Sequence, residues 1–179
     1  MKVYVASSWK NDLQPEVVKK LREAGHEVYD FKDHDGFHWS SVQPDYNTRP
    51  LKADELITML CHPLACKGFR RDMTALREAD AVVLVQPCGR SAHLELGWAA
   101  GAGKITVVLF RDLEPPDLMY KMCDHFCMSI EEVVEVLKKE GQANNVGPKA
   151  KWRPMEYICT ECPPPRGPCW SCEPHDCED

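Results

Sequence analysis

"AVVLVQPCGRSAHLELGWAAGAGKITVVLF", residues 81–110, places two apolar runs on either side of a helix built almost wholly from small and apolar residues. Strands this continuously apolar and β-branched are buried on both faces, the mark of a parallel sheet covered by helices. The helix between them carries one carboxylate, Glu95. An acid in the second turn of a helix built to pack tightly asks for a reason.

Working outward, the same alternation continues in both directions. "KVYVA" (2–6) reads as a buried strand. "PEVVKKLREAG" (15–25) places Val17, Val18, Leu21 and Ala24 at helical spacing and closes on Gly25. "HEVYDF" (26–31) is the second strand, followed by a long polar stretch, 32–50, of the kind that forms functional lids or disordered segments. Residues 51–60 and 63–80 favour helix, and "SIEEVVEVLKKE" (129–140) is amphipathic with Ile130, Val133, Val134 and Leu137 inward. The pattern predicts an α/β fold: a Rossmann-like, doubly wound parallel sheet with helices on both faces. Ligands bind such sheets at the carboxyl ends of the strands, which brings "SSW" (7–9), loop 32–50 and "CGRSAHLE" (88–95) to one rim.

At 179 residues the chain holds one ordinary domain and a small appendage. The expected division is 1–140 for the α/β domain, 141–158 for a linker and 159–179 for a Cys-rich tail. A net charge of −6 argues against holding a nucleic-acid polymer by bulk electrostatics, while leaving a small nucleotide or nucleoside open. No apolar run approaches the roughly 20 residues that cross a bilayer. The first residues enter a strand without the pattern of a signal peptide, so a cytoplasmic protein is expected. In that setting Cys61, Cys66, Cys88, Cys123 and Cys127 read as thiols not joined in disulfides.

With Ser91 taken as the N-cap, Glu95 lies one turn on, toward the strand tips. Ala92 and Ala99 beside it leave space, and Gly97, Ala100 and Gly101 let the other side of the helix press on the sheet. His93 is roughly 200° around the helix, so it does not share Glu95's face. The plainer reading is a solvated glutamate favouring the positive end of its helix.

Residues 71–104, "RDMTALREADAVVLVQPCGRSAHLELGWAAGAGK", resemble the central motif of the nucleoside 2-deoxyribosyltransferase family, which includes related 2'-deoxynucleoside 5'-monophosphate N-glycosidases. The matching features are Asp72 on a helix, the strand "ADAVVLV", and the helix "ELGWAAGAGK". "VYVASSW" resembles the family's first strand and loop, with Tyr4 and Trp9 in matching places, and "PPDLMYKM" (115–122) resembles the segment a neighbouring subunit adds to the pocket. The likeness spans residues 1 to 138. It implies that Glu95 is a nucleophile attacking the anomeric carbon, that Tyr4 orients it, and that Asp72 contacts the base and assists proton traffic. It further implies that Met119, with Asp117, closes the pocket of a partner subunit, so that a homo-oligomer is the active form.

Departures from the family pattern bear on the substrate. The turn before the nucleophile helix carries no acid, and has Arg90, Ser91 and His93 instead. Arg90, Ser91 and the helix N-terminus suit a phosphate, favouring a nucleoside 5'-monophosphate. The alternatives are a solvated Arg90, a helix-capping Ser91 and a His93 satisfied within the chain. Ala6 and Ser8 stand where glycine is common, and Ser7 and Ser8 suit sugar or phosphate hydroxyls. Trp39 in loop 32–50 either stacks on a base or packs on the core. His34, Asp35 and His38 lack the further ligand that a metal site needs.

The tail carries Cys159-x-x-Cys162 and Cys169-x-x-Cys172, the spacing of a compact zinc knuckle. The alternative is a disordered, redox-sensitive tail. A structural zinc is the only metal expected, with no cofactor for catalysis. The expected function is cleavage or transfer at the N-glycosidic bond of a nucleoside or nucleotide. Two alternatives stand beside it: glycohydrolysis of a dinucleotide such as NAD, and a nucleotide-sensing module without turnover.

Overall fold

The computed structural model describes residues 1–33, 36–111 and 117–143. The linker and the tail, with Cys159, Cys162, Cys169 and Cys172, lie outside the described residues, as do His34 and Asp35. In chain order the elements are β1 (Lys2–Ala6), α1 (Gln14–Glu23), β2 (Glu27–Tyr29), α2 (Ala53–Leu60), α3 (Pro63–Glu78), β3 (Ala81–Val85), α4 (Arg90–Gly101), β4 (Ile105–Leu109), β5 (His125–Cys127) and α5 (Ile130–Ala143). Short 3-10 turns cover Trp39–Ser41 and Leu118–Met122.

The strands form a five-stranded, wholly parallel sheet in the order β2-β1-β3-β4-β5. Alternation along each strand sends side chains to two separate cores. Val3, Val5, Val83, Val85, Val107 and Leu109 pack with Val17 and Leu21 of α1 and Val133 and Leu137 of α5. Tyr4, Ala6, Val82, Leu84 and Val108 face the other way, onto Leu76 of α3 and Ala92, Leu96 and Ala99 of α4. Both faces are therefore covered, which is why β3 and β4 are buried along their whole length.

Strand order reverses between β1 and β3, the switch point beside which sheets of this kind bind ligands. Side-chain hydrogen bonds tie the β1–α1 loop to the end of β3 there. The Ser7 hydroxyl donates to the Val85 carbonyl at 2.8 Å, and Asn11 Nδ2 donates to the carbonyls of Val85 and Pro87, both at 3.1 Å. Asn11 Oδ1 accepts from the backbone N–H groups of Leu13 and Gln14, satisfying the start of α1.

Several boundaries differ from the sequence expectation. β2 ends at Tyr29 because the Asp30 carboxylate turns inward, accepting from Gln14 Nε2 and the Lys32 N–H, each at 2.8 Å. The cap of α4 is Gly89, not Ser91; its backbone is extended and no side chain caps the helix. β5 was not expected at all. It is three residues long, and Asp124 fastens its approach to Thr106 on β4 through two 2.8 Å hydrogen bonds.

Candidate active site

Tyr4 and Glu95 meet on the α3–α4 face of the sheet. The Tyr4 side chain is 1% exposed, and its hydroxyl donates to the Glu95 carboxylate. Burial drives the Glu95 pKa up to about 7; the Tyr4 hydrogen bond opposes the rise and the negative charge of Asp72 adds to it. Tyr4 is itself pushed far above the ordinary phenol range, first by burial and then by Glu95 and Asp72. Tyr4, Asp72 and Glu95 thus form one electrostatically coupled cluster, drawn from β1, α3 and α4.

Tyr29, at the end of β2, belongs to the same cluster and was not singled out from the sequence. β1 and β2 pair with Tyr4 opposite Tyr29, and their rings stack at 5.2 Å between centroids and 18° between planes. The Tyr29 hydroxyl donates to Asp72 Oδ1 at 2.7 Å, and Arg71 Nε approaches the same oxygen at 3.4 Å. Burial and the Asp72 carboxylate raise the Tyr29 pKa to about 12, so its proton stays on. The available signal was a tyrosine at the carboxyl end of a strand next to β1; the register that aligns it with Tyr4 is a property of the sheet.

Ser91 lies one turn before Glu95 on the same side of α4 and is exposed. Ser8 accepts from the Lys10 N–H at 3.3 Å, while the Ser7 hydroxyl is spent on β3. Trp9 packs edge-on against Phe31 at 5.1 Å and lies 4.9 Å from His38. Trp39 packs edge-on against Phe37 at 4.7 Å. Phe37 in turn rests on Gly68 of α3, where an added Cβ would stand 2.8 Å from the Phe37 Cβ. Gly68 is one helical turn from Asp72, so the aromatic loop is anchored beside the acid.

Arg90, His93, Asp117 and Met119 lie elsewhere. They line a groove of about 660 Å³ between α4 and the 118–122 turn, together with Cys88, Leu94, Gly97 and Tyr120. Glu95 is not among its walls. His93 uses both ring nitrogens inside the chain. Nδ1 donates to the Gly89 carbonyl at 2.9 Å, and Nε2 receives the Tyr120 hydroxyl at 2.8 Å, a tautomer inferred from the network. Gln86 Nε2 donates to the same Tyr120 oxygen at 2.8 Å.

Four small residues of α4 are used in the reverse of the expected way, while Ala100 is buried as expected. Ala92 and Ala99, expected to leave room beside Glu95, are 1% and 0% exposed and seat the helix on the sheet. Gly97 and Gly101, expected to press on the sheet, face open space, with no atom within 4 Å of an added Cβ. The reason is the helical phase: Leu96 points into the core, which turns Gly97 and Gly101 outward.

Among the described residues, no group of three or more His, Cys, Asp or Glu is placed to hold a metal ion. None of their helices is long and apolar enough to cross a membrane.

No family model and no curated protein matches the chain. Solved structures do. The 2-deoxyribosyltransferase from Bacillus psychrosaccharolyticus superposes with a TM-score of 0.52 at 19% identity, covering 75% of this chain and 90% of that one. A conserved protein from Enterococcus faecalis V583 superposes with a TM-score of 0.51 at 12% identity, covering 78% and 98%. At these identities the likeness establishes the architecture: a parallel α/β sheet flanked by helices, shared over 75–78% of this chain.

Proposed function

We propose that the protein cleaves or transfers the N-glycosidic bond of a nucleoside or nucleoside 5'-monophosphate, with Glu95 as the nucleophile. The observation that carries this reading is the Glu95 carboxylate itself. It is largely buried, held by the Tyr4 hydroxyl of β1, and close enough to a second carboxylate, Asp72, to feel its charge. Two neighbouring acids are what glycosyl transfer through a covalent intermediate requires. The fold shared with a 2-deoxyribosyltransferase supports it.

In the first step Glu95 Oε attacks the anomeric carbon as the bond from that carbon to the base nitrogen breaks. The bonding pair leaves with the base, and a solvent proton relayed at Asp72 neutralises it. In the second step water or another base displaces the glutamate, and the proton it sheds returns to solvent. Tyr4 keeps one carboxylate oxygen aimed at the sugar.

Asp117 and Met119 line the groove of which Glu95 is not a wall. In this reading they serve a Glu95 pocket in a second copy of the chain. Leu94 and Leu118, each 76% exposed, and Met119, 57% exposed, offer that copy an apolar surface. Arg90 would reach a substrate phosphate through the same assembly.

The test is base release from a panel of deoxy- and ribonucleosides, their 5'-monophosphates and NAD, followed by chromatography. Release from nucleosides or monophosphates supports the reading. Release from NAD alone favours a dinucleotide glycohydrolase, and binding without release favours a sensor.

A further inference from the structure

Tyr29 and Arg71 sit beside the proposed chemistry without a part in it. Tyr29 comes from β2 and Arg71 from α3, and they also interact with one another. Both direct a donor to Asp72 Oδ1, at 2.7 and 3.4 Å. Among the described residues none donates to Oδ2. Two donors on one oxygen, one of them cationic, fix the orientation of the carboxyl group. The second oxygen is then presented as a fixed acceptor.

We infer that Tyr29, with Arg71, is a positioning residue that holds Asp72 as an acceptor and so makes the pocket select bases bearing an amino donor. This rests on the reading that Asp72 faces the base. A site built to receive a hydrogen bond rejects an analogue lacking the donor far more strongly than a hydrophobic wall rejects a change of size, because an acceptor covered by the bound base is left unpaired. The bases that fit are those with an exocyclic amino group: adenine, cytosine or guanine. The Tyr29 ring has a separate task, stacking on Tyr4, so removing its hydroxyl alone separates the two.

The experiment compares free adenine with purine and cytosine with 2-pyrimidinone, by calorimetric titration of wild type, Tyr29→Phe and Tyr29→Ala. Base release from the matching nucleosides is measured in parallel. In wild type one aminated base binds at least about tenfold tighter than its deaminated partner. Tyr29→Phe keeps its melting temperature and brings that ratio to within about threefold, while Tyr29→Ala also loses affinity for both. A wild-type ratio near one, or a ratio unchanged in Tyr29→Phe, overturns the inference. Binding that discriminates without any base release leaves this inference standing and defeats the glycosidic reading, so the two failures are distinct.

Discussion

The rings of Tyr4 and Tyr29 lie stacked, 5.2 Å apart, because β1 and β2 pair in the register that sets them side by side. Through their hydroxyls they reach different acids: Tyr4 donates to Glu95 and Tyr29 to Asp72. The two carboxylates of the proposed reaction are thus held by one pair of neighbouring strands. Their placement follows from α3 and α4 packing on the sheet and not from a loop.

Glu95 must be ionised to act as nucleophile, and its pKa is raised to about 7. The kcat/KM for base release therefore rises as pH increases through about 7 and levels off above it. Asp72→Asn removes a negative charge that contributes to the rise, so the acid limb moves to lower pH. Burial is the larger cause and remains, so the limb stays above the usual carboxylate range. A pH–rate profile of the two proteins checks the direction.

Tyr4→Phe removes the donor that favours the charged form of Glu95. The acid limb then moves to higher pH, opposite to the Asp72→Asn shift. Losing a charge-assisted hydrogen bond of about 1.5–3 kcal/mol lowers turnover by roughly 10- to 100-fold at pH 8. Steady-state rates at pH 8 and pH 6 test both parts.

Tyr120 is 6% exposed and joins Gln86 to His93 through one oxygen. Tyr120→Phe strands the Gln86 amide and the His93 nitrogen. Stability falls by about 1–3 kcal/mol, read by urea denaturation.

His26 has both ring nitrogens buried without a hydrogen-bond partner among the described residues, and its pKa is lowered, chiefly by burial. The unfolded chain binds this proton more readily than the folded one. Its contribution to stability is present above about 6.5 and is lost as pH falls below that value. His26→Leu flattens that part of the stability profile, seen as a smaller drop in melting temperature between pH 7 and pH 5.

The layered α/β architecture was legible because its strands are continuous apolar runs, and runs of that kind have few other solutions. Tyr4, Asp72 and Glu95 were legible through resemblance, and the structure brings these three together. What sequence could not convey was azimuth and register. Arg90 and His93 follow β3 as closely as Glu95 does, yet the helical phase turns them into a different groove. Ala92 and Ala99 exchange their expected faces with Gly97 and Gly101 for the same reason. Tyr29 was missed because its partner, Asp72, is 43 residues away and meets it only across the folded sheet.

The central claim is that Glu95 carries the chemistry, and the most direct measurement is the rate of base release by Glu95→Gln on whichever nucleoside or monophosphate the wild type turns over. The amide preserves shape and removes a carboxylate that is costly to ionise where it sits, so the melting temperature holds or rises at pH 8. With Glu95 as the nucleophile, the rate falls by at least about 1000-fold in that folded protein. A Glu95→Gln protein that releases base within tenfold of wild type would contradict the claim.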